Sequence, residues 1–175
     1  MDEGSRRARW TEILAAERIP HALIGAAALA AAGIARSTFD IDLLTGDARV
    51  LEAPLWAGLC RSGVSVDIRT ADVEDPLGGV VRLELDAERP VDLIVARHRW
   101  QARVVERATP VAGSPPVVRP ADLVLLKLYA GGTQDVWDIR ELLRLPGREA
   151  LIAAVEAELT ALPASLRVRW QTVRE

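Results

Sequence analysis

The apolar period changes once along this chain, and that change constrains the fold more than any single motif. Up to Pro116, short alternating runs are interleaved with helical stretches; from Pro120 onward every apolar pattern has helical spacing. Such a chain predicts an α+β fold: a small mixed β-sheet flanked by helices, followed by a helical C-terminal portion. The boundary divides the 175 residues into an α/β core over 1–118 and a helical region over 119–175 packed on it.

Within the first part, Trp10, Ile13, Leu14 and Ala15 predict a helix over Arg7–Arg18 that Pro20 ends. His21–Gly25 reads as a short buried strand, and Ala26–Ala32 as a helix of small residues stopped by Gly33. Period two over Arg36–Leu44 predicts a strand with Arg36, Thr38, Asp40 and Asp42 on one face and Ser37, Phe39, Ile41 and Leu43 on the other. A helix is expected over Asp47–Ser62, strands over Val64–Arg69, Val80–Leu85 and Pro90–Ala96, a helix over His98–Arg107 and a loop over Thr109–Pro116. Beyond it, helices begin at Pro120 and at Thr133, with breaks at Gly131-Gly132, Pro146-Gly147 and Pro163.

Two aspartates on one strand face, two positions apart, have Cα atoms roughly 6.5–7 Å apart and can reach one cation together. Buried without a cation they repel, so the pair is either a site for a hard divalent ion such as magnesium or a solvated edge neutralised by Arg36. Gly25, at a strand-to-helix turn, leaves backbone N–H groups open to a phosphate. Asp92 interrupts an otherwise apolar strand and is the first candidate for a third carboxylate; Asp67, on an alternating strand, is the second. Lys127, the only lysine in the chain, interrupts the apolar run Leu123–Tyr129, where it either snorkels to solvent or faces an anion. Asp135 and Asp138 share a helix face near an N-terminus, a place where acids also serve the helix dipole alone. The tryptophans at 10, 56, 100, 137 and 170 read as packing residues.

The order Ile24-Gly25-Ala26, thirteen intervening residues, Asp40-Ile-Asp42 and a later strand aspartate resembles the signature of the DNA polymerase β-type nucleotidyltransferase superfamily. More narrowly, Arg36-x-Thr38-x-Asp40-x-Asp42 with Leu126-Lys127-Leu128 and Gln134-Asp135-Val-Trp-Asp138 is similar to the AbiEii/AbiGii toxin branch. The resemblance implies that Asp40, Asp42 and Asp92 hold Mg2+ or Mn2+, with Asp92 alternatively activating the acceptor. It implies that Gly25, Ala26, Arg36, Thr38 and Lys127 line a bound nucleoside triphosphate, with Asp135, Asp138 and Asp67 as auxiliary groups. The chain departs from the superfamily at Ala26, where glycine or serine is usual; alanine offers no hydroxyl, although its backbone N–H remains.

The implied activity is metal-dependent transfer of a nucleoside monophosphate from an NTP to tRNA, another RNA or a partner protein, in a toxin–antitoxin setting with a cognate toxin or antitoxin. The alternative is a catalytically silent nucleotidyltransferase-like module that binds nucleotide or a partner. A net charge of −3, from 22 basic and 25 acidic residues, gives no overall attraction to nucleic acid; Arg97, Arg99, Arg103 and Arg107 form the one candidate basic stripe. The single Cys60 cannot form an internal disulfide, and no run is long and apolar enough for a signal peptide or membrane span, so a cytoplasmic protein is expected.

Overall fold

The computed structural model describes residues 4–36, 38–84 and 89–174, with side chains from 10 onward. Its helices are α1 (Gly4–Ala16), α2 (Gly25–Ala31), α3 (Ala57–Arg61), α4 (Arg99–Glu106), α5 (Pro120–Ala130), α6 (Thr133–Arg144), α7 (Arg148–Leu159) and α8 (Ala164–Val173). Its strands are β1 (His21–Leu23), β2 (Ile41–Thr45), β3 (Ser65–Thr70), β4 (Gly79–Glu84), β5 (Val91–Val95), β6 (Thr109–Val111) and β7 (Ser114–Val117). They form one mixed sheet in the order β3-β4-β5-β2-β1-β7-β6, with β2 parallel to β5 and β1 parallel to β7. The α+β architecture read from the period change is therefore the observed one.

Strand alternation sends successive side chains to two separate cores. Leu43, Val91, Leu93 and Val95 enter one, with Trp10 and Leu14 of α1 and with Trp56 and Leu59. Leu44 and Ile94 enter the other, beneath α2, α4 and the C-terminal helices, whose buried members include Leu125, Leu128, Ile139, Val155 and Trp170. The second core joins sheet residues to all four C-terminal helices. Asp42 and Asp92 belong to the same face as Leu44 and Ile94, and both are half-buried.

Three elements differ from the sequence reading. The strand expected over Arg36–Leu44 begins at Ile41; Ser37 and Leu85 lie outside the described residues. Pairing explains the late start: β1 meets β2 only through His21↔Thr45 to Leu23↔Leu43, and β5 meets it from Ile41↔Val91 onward. Thr38 Oγ1 instead accepts from the Asp40 N–H at 3.3 Å and donates to the Asp40 carbonyl at 3.2 Å, turning the chain just ahead of the strand. The helix expected over Asp47–Ser62 is two 3-10 turns, Ala48–Leu51 and Ala53–Trp56, followed by short α3, with Pro54 in the second turn. The Thr109–Pro116 loop is the β6–β7 hairpin, at the sheet edge where prolines are tolerated, turning at Gly113 with φ +71°.

Candidate active site

The sheet register lays the acidic residues out in a row. Asp67 on β3 lies opposite Arg82 on β4, Arg82 opposite Asp92 on β5, and Asp92 opposite Asp42 on β2. Asp40, in the bend just before β2, closes the group. Arg82 Nη1 donates to both Asp92 oxygens, at 2.9 and 3.1 Å, and stands 3.5 Å from Asp40 Oδ2. Asp40 Oδ1 is shielded from solvent and has no hydrogen-bond partner. Burial pushes the Asp42 carboxyl above the ordinary carboxylate range; the charges of Asp92 and Asp40 push it further, while Lys127 and Arg36 pull it back. Asp92 is raised as well, chiefly by burial, against the opposing pull of Arg82.

The second half of the site comes from the C-terminal helices. Lys127 of α5 is buried, and its Nζ donates to Asp138 Oδ2 at 2.5 Å and to Asp135 Oδ1 at 3.1 Å. Asp138, fully buried on α6, also accepts from Arg36 Nη1 at 2.6 Å and from Gln134 Nε2 at 3.1 Å. A buried carboxylate with three donors is well satisfied, and the two cations that hold it are the same two that lower Asp42. Asp135 Oδ2 accepts from the Gly132 N–H at 3.0 Å, which fixes the start of α6. Arg36, Lys127, Asp135 and Asp138, distant in sequence, thus form one network behind the sheet carboxylates.

Gly25 connects the halves. Its φ is +56°, and a Cβ built there would stand 2.3 Å from Asp42 Oδ2, so no side chain fits between α2 and the carboxylate. Ala26 is buried and its side chain belongs to the core.

Asp40, Asp42 and Asp92 are therefore brought together, with Gly25 against Asp42 and with Arg36 and Lys127 near enough to act on its charge. Asp67 is exposed on the far side of Arg82 and pairs with Arg69 at 2.7 Å, away from the other carboxylates. Thr38 serves the bend that carries Asp40. Arg82 was not singled out from the sequence; its signal is a lone charge inside Val80-Val-Arg-Leu83, one β-pair from Asp92. Among the described residues, no group of three or more His, Cys, Asp or Glu side chains is arranged to hold a metal ion as it stands; Arg82 lies between Asp40 and Asp92. The donor set nevertheless suits a hard cation, because it is all carboxylate oxygen, one oxygen lacks a partner and the Asp42 charge is under-compensated. Trp137 departs from the packing role read for the tryptophans: it is 47% exposed, whereas the other four are buried.

No family model and no curated protein matches the sequence. Solved structures do. The solution structure of the antibiotic-resistance factor ANT(2'')-Ia aligns with a TM-score of 0.56 and 17% identity, over 98% of this chain and all of the other. A crystal structure of ANT(2'')-Ia in complex with adenylyl-2''-tobramycin aligns with a TM-score of 0.54 and 17% identity, over 91% of this chain and 94% of the other. The fold is nucleotidyltransferase-like. At 17% identity the likeness to these neighbours is one of fold. Among the described residues, no helix is long and apolar enough to cross a membrane.

Proposed function

We propose that this protein is a metal-dependent nucleotidyltransferase that moves a nucleoside monophosphate from a nucleoside triphosphate to an acceptor hydroxyl. The observation that carries the reading is the convergence of Asp40, Asp42 and Asp92 at the start of β2 and β5 in a sheet with this fold, with Gly25 packed on Asp42. Asp40 and Asp42, joined by Asp92, would hold magnesium or manganese, which when bound neutralises charge on the phosphates and favours attack at the α-phosphorus. Asp92, with its raised pKa, takes the acceptor's proton as the new P–O bond forms, while the bond to the leaving pyrophosphate breaks. Lys127 and Arg36 supply positive charge on the nucleotide side, held there by Asp138 and Asp135. The chain's own contribution is positioning and charge compensation, with residues 1–118 carrying the carboxylates and 119–175 carrying the lysine.

The AbiEii/AbiGii-like setting, with tRNA or a partner protein as acceptor in the cytoplasm and a cognate antitoxin or toxin, is supported by one feature. Arg36, Lys127, Asp135 and Asp138, which carry that resemblance, form a single contact network. The arginine stripe lends it less. Arg97 donates to the Asp72 and Val73 carbonyls, and Arg107 is held by Asp122 and Glu158, so two of its four members are committed within the fold. A second reading, transfer to a small polyhydroxylated amine, is favoured by the solved neighbour in complex with adenylyl-2''-tobramycin. The silent binding module keeps Ala26 as its support.

Melting curves test the active-site reading. Magnesium with a nucleoside triphosphate is expected to raise the Tm of the wild type, and Asp40→Ala combined with Asp42→Ala to abolish the rise. Absence of any shift in the wild type, across metals and nucleotides, removes the reading.

A further inference from the structure

We infer that Arg82 is a resident counter-cation that occupies the place between Asp40 and Asp92 and must be displaced when a divalent metal enters, so that it sets metal affinity. The inference rests on the metal-dependent reading above and concerns a residue outside the ligand set.

Three observations carry it. Arg82 Nη1 spans the two carboxylates, 2.9 Å from Asp92 and 3.5 Å from Asp40, so a positive group already stands where a bridging cation would be held. Asp40 Oδ1 remains buried and unpartnered, which a guanidinium shared with Asp92 does not correct and a directly bound cation would. Finally, Arg82 has a destination: its Nε lies 3.4 Å from Glu84 Oε1, and its side chain is about one-third exposed, so it can exchange Asp92 for Glu84 without being stranded. A permanently structural Arg–Asp pair needs neither the orphaned oxygen nor the second carboxylate partner. Two like-charged groups cannot share one carboxylate pair at close range, so metal and guanidinium compete.

Competition has a quantitative form. If the metal-competent arrangement is populated to about one-tenth in the metal-free protein, the apparent metal Kd is raised about tenfold. Removing the guanidinium then tightens binding by about that factor.

The test is Mn2+ titration of the full-length protein, without nucleotide, followed by the electron paramagnetic resonance of free Mn2+. Arg82→Gln is expected to bind about tenfold more tightly than the wild type. Arg69→Gln removes the same charge from the neighbouring strand, where Arg69 pairs with Asp67 and acts on Asp92 more weakly than Arg82 does, and is expected to stay within about twofold because that exposed charge is screened. Arg82→Lys, which keeps the charge on a more flexible stem, should fall between wild type and Arg82→Gln, and it replaces Arg82→Gln as the test if that variant does not fold. Equal or weaker Mn2+ binding by the Arg82 variants overturns the inference while leaving the metal site in place. Equal tightening by Arg69→Gln also overturns it, because the effect is then general charge rather than competition. If neither wild type nor any variant binds Mn2+, the metal-dependent reading fails and the inference falls with it.

Discussion

Asp42→Asn should stabilise the metal-free protein while destroying its ability to gain stability from metal. Asp42 is the register partner of Asp92 on the adjacent strand, and neighbouring strands lie about 4.8 Å apart. Two carboxylates about 5 Å apart repel by roughly 3 kcal/mol at an effective dielectric of 20. Arg82 on Asp92, with Lys127 and Arg36 near Asp42, offsets part of that, and partial exposure screens more, leaving a relief of about 1–2 kcal/mol. For a chain of this size that is a rise in Tm of about 3–6 °C. The pH dependence has a definite sign. The Asp42 carboxyl is raised in the folded state, so between its unfolded and folded pKa values the native state binds more protons than the unfolded state. Wild-type stability therefore falls as pH rises through that window, and the penalty is complete above the folded pKa. The variant should match wild type at pH values below the ordinary carboxylate range and exceed it at pH 7. The assay is urea denaturation in EDTA at several pH values, repeated with saturating magnesium. At about 100 times Kd the wild type gains about 2.7 kcal/mol, which reverses the order of the two proteins. A variant less stable than wild type at pH 7 in EDTA would refute the electrostatic argument.

Three further outcomes follow from the same geometry. Gly25→Ala forces a positive-φ alanine whose Cβ meets Asp42 Oδ2, and is expected to lose about 1–3 kcal/mol in urea denaturation and to weaken metal–nucleotide binding in calorimetry. Asp138→Ala removes a fully buried acceptor shared by Lys127, Arg36 and Gln134, and should cost about 3–5 kcal/mol because it strands buried positive charge. Lys127→Met keeps the packing of α5 but withdraws one of the two cations acting on Asp42; it should weaken nucleoside triphosphate binding about tenfold by calorimetry, while an unchanged affinity would make Lys127 purely structural.

The carboxylates were legible because period two put Asp40 and Asp42 together and because Asp92 interrupts an otherwise apolar strand. The bend at 38–40 was not, because period two marks which side chains would share a face and says nothing about whether a partner strand extends far enough to pair. Here β1 and β5 do not reach it, and the Thr38 hydroxyl takes the Asp40 backbone instead. Lys127 was legible as a cation among leucines, but the tie between Arg36 and Asp138 was not: they are 102 positions apart, and only tertiary packing brings them together. Arg82 was missed for the same reason, since its meaning comes from cross-strand register with Asp92 rather than from its own neighbours. The exposure of Trp137 follows from its place on the outer face of α6, although one position away Asp138 is fully buried.

The central claim, nucleotidyl transfer by the Asp40, Asp42 and Asp92 site, is tested most directly by following the phosphorus. The protein is incubated with magnesium and nucleoside triphosphates labelled at the α- or the γ-phosphate, together with tRNA, cell lysate or an aminoglycoside, and both the acceptor and the released phosphate are analysed. The account predicts that the α-label moves onto one acceptor class with stoichiometric release of pyrophosphate, and that Asp40→Ala with Asp42→Ala abolishes both. Transfer of the γ-label, release of orthophosphate instead of pyrophosphate, or an α-label that reaches no acceptor from any nucleotide would contradict it.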